Sequence, residues 1–351
     1  LSDSERRKLQ RELILSGGSQ LARILPAVLV DDVLRYLAEF LIARPAVVHL
    51  WQDYTNVAAG VAAVFADVPC IVLSQRSLAP TRFQYAQSFL RPLYRFLADQ
   101  PRVVLTNNSR AGAIDYARWL GIDPARIRVV YNGVDDNLER ASSEAMAAWL
   151  RRHGMSGGTP VVGGVLRLSE EKNPLLWLEA VSLVAKQHPR LLAILVGSGA
   201  MRQGVIDHAQ TLGLAGRLHL LESEPDVSLA ISAMDVLLLT SRVEGTPNVL
   251  LEAGLLGCPV VTTAVGGCAE AVDDGVTGWV VEGATPNALA ERVLAVLDDQ
   301  AWRHRAAKEA PRFVRERFGN ARMLSEVIHC YHSARDPSRL RSQTIGRAAS
   351  V

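Results

Sequence analysis

The sequence predicts an α/β protein built from two doubly wound domains in series. Three observations predict it. Short apolar runs rich in Val, Ile and Leu recur without alternation, as expected of strands buried on both faces. Helix-like stretches separate the runs, which makes successive strands parallel. The scheme occurs twice along 351 residues, a length that suits two ordinary domains.

In the first half the runs are residues 46–51, 70–75, 103–108 and 127–132. The turn Tyr131-Asn132-Gly133-Val134-Asp135 closes this half, and a polar linker with one helix follows to about residue 158. The second half offers six runs, at 160–168, 191–196, 217–221, 236–240, 259–263 and 278–281, enough for a complete doubly wound domain. Ligands of such sheets bind outside the carboxyl ends of the strands, so the residues after each run carry the functional information. The expected division is a first domain over 1–135, a second over 136–315, a helix over 316–335 returning to the first, and a basic tail, 336–351, expected to be disordered.

Composition excludes several classes. With 49% hydrophobic and 21% charged residues the chain can bury large cores and is not a disordered protein. A net charge of +2 gives no field for nucleic acid. No uninterrupted apolar run reaches the length of a membrane span. Residues 1–12 are charged, read as an amphipathic helix, and carry no signal-peptide pattern. Cys70, Cys258, Cys268 and Cys330 lie far apart without metal-ligand spacing and read as buried thiols in a reducing, cytoplasmic setting, with no metal site.

Three strand ends in the second half carry chemistry. Leu166-Arg167-Leu168-Ser169-Glu170-Glu171-Lys172 puts two cations on one loop, a fork and a point charge suited to a diphosphate. A solvated loop whose cations pair with Glu170 or Glu171 is the plainer alternative. Gly164 lies in the strand before that loop, and Gly197-Ser198-Gly199 follows the next strand, where glycines let backbone approach a ligand closely. Ser241-Arg242-Val243-Glu244-Gly245-Thr246-Pro247-Asn248-Val249-Leu250-Leu251-Glu252 follows a strand and opens a helix, with Pro247 expected in the first helical turn. The N–H groups of Asn248 and Val249 then point at an anion, and Glu244 and Glu252 suit the paired hydroxyls of a sugar or ribose. Residues 221–226 are expected to line a base pocket.

Together these residues resemble the family 4 retaining glycosyltransferases of the GT-B fold, two Rossmann-like domains facing a cleft. Glu244 and Glu252 resemble the family's E-x7-E signature, and Arg167 to Lys172 its R-L-S-x-E-K loop. Gly197 and Gly199 resemble its G-x-G loop, and Gly266-Gly267-Cys268-Ala269-Glu270 its G-G-x-x-E turn. The similarity runs from about residue 46 to 331 and is densest in the second half. It implies that Arg167 and Lys172 hold the donor diphosphate, that Glu252 holds the ribose, and that Glu244 contacts the donor sugar. It also implies that backbone around Gly245, Thr246, Asn248 and Val249 touches sugar or phosphate. It implies a retaining hexosyl transfer from a UDP- or GDP-linked sugar to a glycan or lipid-linked glycan. No D-x-D motif occurs, so no metal or other cofactor is expected.

The first half matches the family more loosely. His49, Trp51, Gln52 and Asp53 sit where the family often has H-x-H, and Trp51 departs from that pattern; with Arg76 they are the expected acceptor-side residues. Gly17-Gly18 sits between helical segments rather than after a strand, so the opening units of the acceptor domain are expected to be lacking. Residues 82–102 mix aromatics with Arg91 and Arg95 and read either as a helix covering the sheet or as a peripheral contact with the inner membrane face. Alternatives that keep the fold are a sugar-nucleotide epimerase, a glycan phosphorylase, or a non-catalytic nucleotide-sugar-binding subunit.

Overall fold

The computed structural model describes residues 25–83 and 86–333. The expectations for residues 1–12, Gly17-Gly18, residues 84–85 of the stretch 82–102 and the tail from 336 lie outside them. The described chain divides into two compact units, one running to Tyr131 and resuming at Leu324, the other running from Asn132 to Met323.

The first unit opens with helix α1 (Ala27–Ala43). It continues β1 (Val48–Trp51), α2 (Asp53–Phe65), β2 (Ile71–Gln75), α3 (Leu90–Ala98), β3 (Val103–Asn107), α4 (Arg110–Leu120) and β4 (Ile127–Val129). The strands are parallel and lie in chain order, β1-β2-β3-β4. Crossovers that always step the same way, with right-handed connections, put their helices on one face. The larger core lies there, among Leu29, Val57, Leu73, Tyr94, Leu97 and Tyr116. The opposite face carries a smaller cluster of Cys70, Val72 and Val104, covered by Cys330 and Tyr331 of the last helix, α12 (Asn320–Ser333), whose later part belongs to this unit.

Local chemistry fixes these elements. Ser109 caps α4 by accepting the Gly112 N–H, and Gly121 ends it in the left-handed region at φ 71°. The fourth run stops at Val129 rather than residue 132 because its partner β3 ends at Asn107, whose carbonyl takes the last ladder bond, from the Val130 N–H. Within 82–102 the helix is confined to α3. Its Leu90, Tyr94 and Leu97 are buried while Arg91, Arg95 and Phe96 are exposed, the face pattern of a helix covering a sheet.

The second unit begins with α5 (Ser143–Arg152) and then β5 (Val161–Val165), α6 (Pro174–Gln187), β6 (Leu192–Val196), α7 (Arg202–Thr211) and β7 (Leu218–Leu221). It goes on through α8 (Val227–Ser232), β8 (Val236–Leu239), α9 (Asn248–Leu255), β9 (Val260–Thr263), β10 (Gly278–Val281), α10 (Pro286–Asp298) and α11 (Gln300–Phe318). The six strands are parallel in the order β10-β9-β8-β5-β6-β7. The chain starts in the middle at β5, winds outward through β6 and β7, then crosses back to β8 and winds the other way. The order reverses between β5 and β8, so their carboxyl ends border the crevice where such sheets take ligands. The fold class read from the sequence, α/β with two Rossmann-like parallel sheets, is the fold observed.

Candidate functional site

The loops after β5 and β8 meet at that reversal and are joined backbone to backbone. Arg242 gives its N–H to Glu171 O at 2.7 Å, and Thr240 Oγ1 donates to Lys172 O at 3.2 Å and Asn173 O at 3.0 Å. This places the half-buried Lys172 against the buried Glu244, with Nζ 2.5 Å from Oε1. Ser241 Oγ donates to the same oxygen at 2.6 Å, and Ser241 is held in turn by Thr263 Oγ1 donating to its carbonyl at 2.7 Å. Lys172 therefore pairs with Glu244, 72 residues away, rather than with Glu170 or Glu171. Both bonds to Glu244 use one oxygen, which turns the other edge of the carboxylate away from the lysine.

A third loop completes the cradle. Gly266, at φ 52°, packs so closely on the Glu244 carbonyl that a Cβ would lie 1.9 Å from it, and Gly267 gives its N–H to Gly245 O at 2.9 Å. Arg167 is exposed two residues beyond β5. The flanking N–H groups of Leu166 and Leu168 bond Val196 O and Ser198 O. A Cβ on Gly197 would fall 1.9 Å from Leu166 O, and one on Gly199 2.4 Å from Leu168 O. These two glycines thus admit the chain's own backbone, and their close approach fixes the loop that carries Arg167. Gly164 has a packing reason of its own: a Cβ there would lie 2.7 Å from Trp177 Nε1, whose N–H donates to Leu238 O.

Pro247 stands at the N-cap of α9, not in its first turn, and the helix begins at Asn248. The N–H groups of Asn248 and Val249 precede the point where intrahelical pairing starts, so the site keeps donors and the positive end of the dipole. Beside them lies a cavity of about 380 Å³ lined by Asn248, Glu252, Gly133, Asp135, Pro225 and Asp226, among others. Of the region 221–226, expected to line a base pocket, residues 225 and 226 border this cavity. Burial raises the Glu252 carboxyl above its ordinary value.

Asn132 is a residue that sequence reasoning missed. It is buried, and its Nδ2 donates to Thr246 O at 2.8 Å and Asn248 Oδ1 at 2.6 Å, fixing the approach to α9. Its letters give one signal, a turn-forming Asn-Gly three residues after a strand. Ser241 is the second such residue; its motif was read without its bond to Glu244.

In the first unit His49 is the second residue of β1. Its Nδ1 lies 2.9 Å from Tyr331 Oη and its Nε2 2.6 Å from Ser74 Oγ, which is 2.7 Å from Thr106 Oγ1. Burial, with the nearby Arg76 charge adding, pushes its pKa down to about 4. Trp51 stacks on the imidazole with centroids 4.0 Å apart. Gln52 and Arg76 are exposed, at the carboxyl ends of neighbouring strands. Asp53 turns inward, where Tyr94 and Tyr116 donate to Oδ1 at 2.7 and 2.6 Å. No cluster of three or more His, Cys, Asp or Glu with metal-binding geometry occurs among the described residues.

Residues 146–313 match the family model described as Glycosyl transferases group 1, and residues 5–138 the model described as Glycosyltransferase Family 4. The Vi polysaccharide biosynthesis protein VipC/TviE of Salmonella typhi is 32% identical over 290 residues, which cover 80% of this chain and 49% of that protein. The chain thus spans about half the length of that relative. The Escherichia coli UDP-Gal:alpha-D-GlcNAc-diphosphoundecaprenol alpha-1,3-galactosyltransferase is 28% identical, covering 72% of this chain and 67% of its own. Among solved structures, Anabaena Alr3699/HepE in complex with UDP-glucose superposes with a TM-score of 0.77 at 23% identity, covering 89% and 84% of the two chains. At that identity the likeness speaks for the fold.

Proposed function

The chain belongs to the glycosyltransferases that these two family models describe, and from that premise we propose that it moves a hexosyl unit, with retention, from a UDP- or GDP-linked sugar to a glycan or lipid-linked glycan. The observation that carries the reading is the meeting of Lys172 and Glu244 at the strand-order reversal, beside the first turn of α9 and the cavity at Glu252. A nucleotide in that cavity sets its ribose hydroxyls against the Glu252 carboxylate. Its diphosphate runs toward the α9 N-terminus, Arg167 and Lys172, and the donor hexose meets Glu244. When the diphosphate arrives, Lys172 exchanges its carboxylate partner for phosphate oxygens and frees Glu244 for sugar hydroxyls. Negative charge that builds on the departing phosphate is met by two cations and backbone donors, the electrostatic work that dominates such transfers. The departing phosphate takes the acceptor proton.

No metal has a part in this reading, since the cations and amides carry the charge and the chain has no D-x-D motif. The acceptor sits against the first unit, on the side of Trp51, Gln52 and Arg76. A lipid-linked acceptor brings the enzyme to the cytoplasmic membrane face, with the exposed Arg91, Arg95 and Phe96 as contacts; no described helix is long and apolar enough to cross a membrane. One relative carries polysaccharide biosynthesis in its name, and another a diphosphoundecaprenol-linked sugar, which supports a glycan or lipid-linked acceptor.

The test is a thermal-shift titration with UDP, GDP and ADP in EDTA, on the wild type and on Lys172→Ala. A ligand at a hundred times its dissociation constant stabilises the fold by about 2.7 kcal/mol. One nucleotide should shift the wild type and leave the variant unmoved. A shift that EDTA removes, or that Lys172→Ala keeps in full, speaks against the reading.

A further inference from the structure

Trp51 is 49% exposed although it closes a strand. One face of its indole is covered by the His49 imidazole, nearly parallel at 22°. The exposed area therefore comes from the other face and the edges. The imidazole beneath is itself clamped, by Tyr331 from α12 and by Ser74 from β2, and Ser74 is braced by Thr106 on β3. Four side chains from three strands and a helix thus hold one aromatic ring flat.

The backbone adds a second constraint. Gln52, directly after Trp51, has φ 71° and ψ 151°, a region that non-glycine residues enter at a cost and that clusters at functional sites. The surrounding bonds enforce it, since Gln52 gives its N–H to Ser74 O and accepts from the Asn56 N–H. It turns the chain sharply from β1 into α2 and leaves the Gln52 side chain at the surface. Arg76, also exposed, leaves the carboxyl end of the neighbouring β2. The outcome is a flat apolar face flanked by an amide and a guanidinium at the carboxyl end of a parallel sheet.

We propose that Trp51 is the acceptor-recognition residue of this enzyme, a platform on which a pyranose ring of the acceptor glycan stacks while Gln52 and Arg76 bond its hydroxyls. The chemistry fits on each count. The C–H groups on one face of a pyranose are weakly positive and seek the electron-rich face of an aromatic ring. A neutral imidazole behind the indole leaves that face electron-rich, where an imidazolium would draw density from it. The equatorial hydroxyls at the ring's rim want both donors and acceptors, which an amide supplies, and a fork of donors, which arginine supplies. The proposal rests on the glycosyltransferase reading for the word acceptor, and its test is separate from the test of that reading.

The experiment is saturation-transfer NMR with the methyl α-pyranosides of glucose, galactose, N-acetylglucosamine and N-acetylgalactosamine. It is run on the wild type, Trp51→Phe and Trp51→Leu, each with the nucleotide titration alongside. Phenylalanine keeps a flat ring and leucine keeps apolar bulk without one. At least one glycoside should saturate with the wild type and Trp51→Phe, and Trp51→Leu should weaken it about fivefold to tenfold while its nucleotide shift stays at the wild-type value. Equal binding by the leucine variant overturns the proposal, as does the absence of saturation by all four glycosides with the wild type. Failure of every nucleotide to shift the wild type would instead count against the transferase reading itself.

Discussion

Lys172 and Ser241 converge on the same oxygen of Glu244, from loops that follow strands β5 and β8. The carboxylate is thereby aimed before any ligand arrives. Preorganisation of this kind removes reorganisation from the reaction step. Glu244→Gln keeps the shape and the bond from Ser241 but weakens the pairing with Lys172 and, on the proposed reading, the grip on sugar hydroxyls. Nucleotide binding by thermal shift should survive within a factor of a few, while turnover of the sugar nucleotide falls about a hundredfold.

Asn132 tests whether the approach to α9 is set from a distance. Asn132→Ala removes the donor shared by Thr246 O and Asn248 Oδ1. The loss of one buried hydrogen-bonding partner costs about 1–3 kcal/mol. Steady-state kinetics should show it as a higher KM for the sugar nucleotide, with kcat lowered less. An unchanged donor KM would return Asn132 to a purely structural role.

Gly164 distinguishes packing from ligand contact. Gly164→Ala sets a Cβ 2.7 Å from Trp177 Nε1, an overpacking worth about 1–3 kcal/mol. In a double-mutant cycle with Trp177→Phe, which deletes the offending nitrogen, the combined loss in denaturant unfolding should be smaller than the sum by about 1 kcal/mol. Additive losses would leave a ligand as the reason for that glycine.

His49 gives a pH signature. Its folded-state pKa of about 4 lies below the ordinary 6.5, so the unfolded chain takes up a proton first as pH falls. The stability held by the neutral ring is complete above pH 6.5, is lost progressively as pH drops toward 4, and changes no further below that. For a ring that is partly exposed the loss amounts to about 1–2 kcal/mol. The melting temperature of the wild type should fall faster across this window than that of His49→Gln, which cannot titrate.

Much of the fold could be read from the letters because buried parallel strands announce themselves as continuous apolar runs. The ends of the runs were less legible. Residues 166–168 look like strand because Leu166 and Leu168 are apolar, and their N–H groups do continue a ladder, but Leu166 bonds the last residue of β6, Val196, and Leu168 already bonds Ser198 in the glycine turn beyond it. The chemistry of Arg167, Lys172, Glu244 and Glu252 was visible through loop position. Their partners were not, since Lys172 meets Glu244 and Asn132 meets Asn248 across 72 and 116 residues. Gly164, Gly197 and Gly199 stood out as glycines, but the side chain and backbone they admit belong to tertiary packing. Asp53 shows the reverse case, a polar strand-end residue whose carboxylate is taken up by two buried tyrosines.

The four cysteines have a use unrelated to the reaction. Cys70 and Cys330 are buried in the first unit, Cys258 and Cys268 in the second. Burial pushes the thiols of Cys258 and Cys268 up to about 12 and raises that of Cys330. Thiolate, the form that reacts with alkylating reagents, is therefore scarce until the surrounding structure opens. Each unit carries a matched pair of built-in timers: the order in which the four sites become labelled, read by peptide mapping, reports which half of the molecule breathes first and by how much a bound nucleotide slows it.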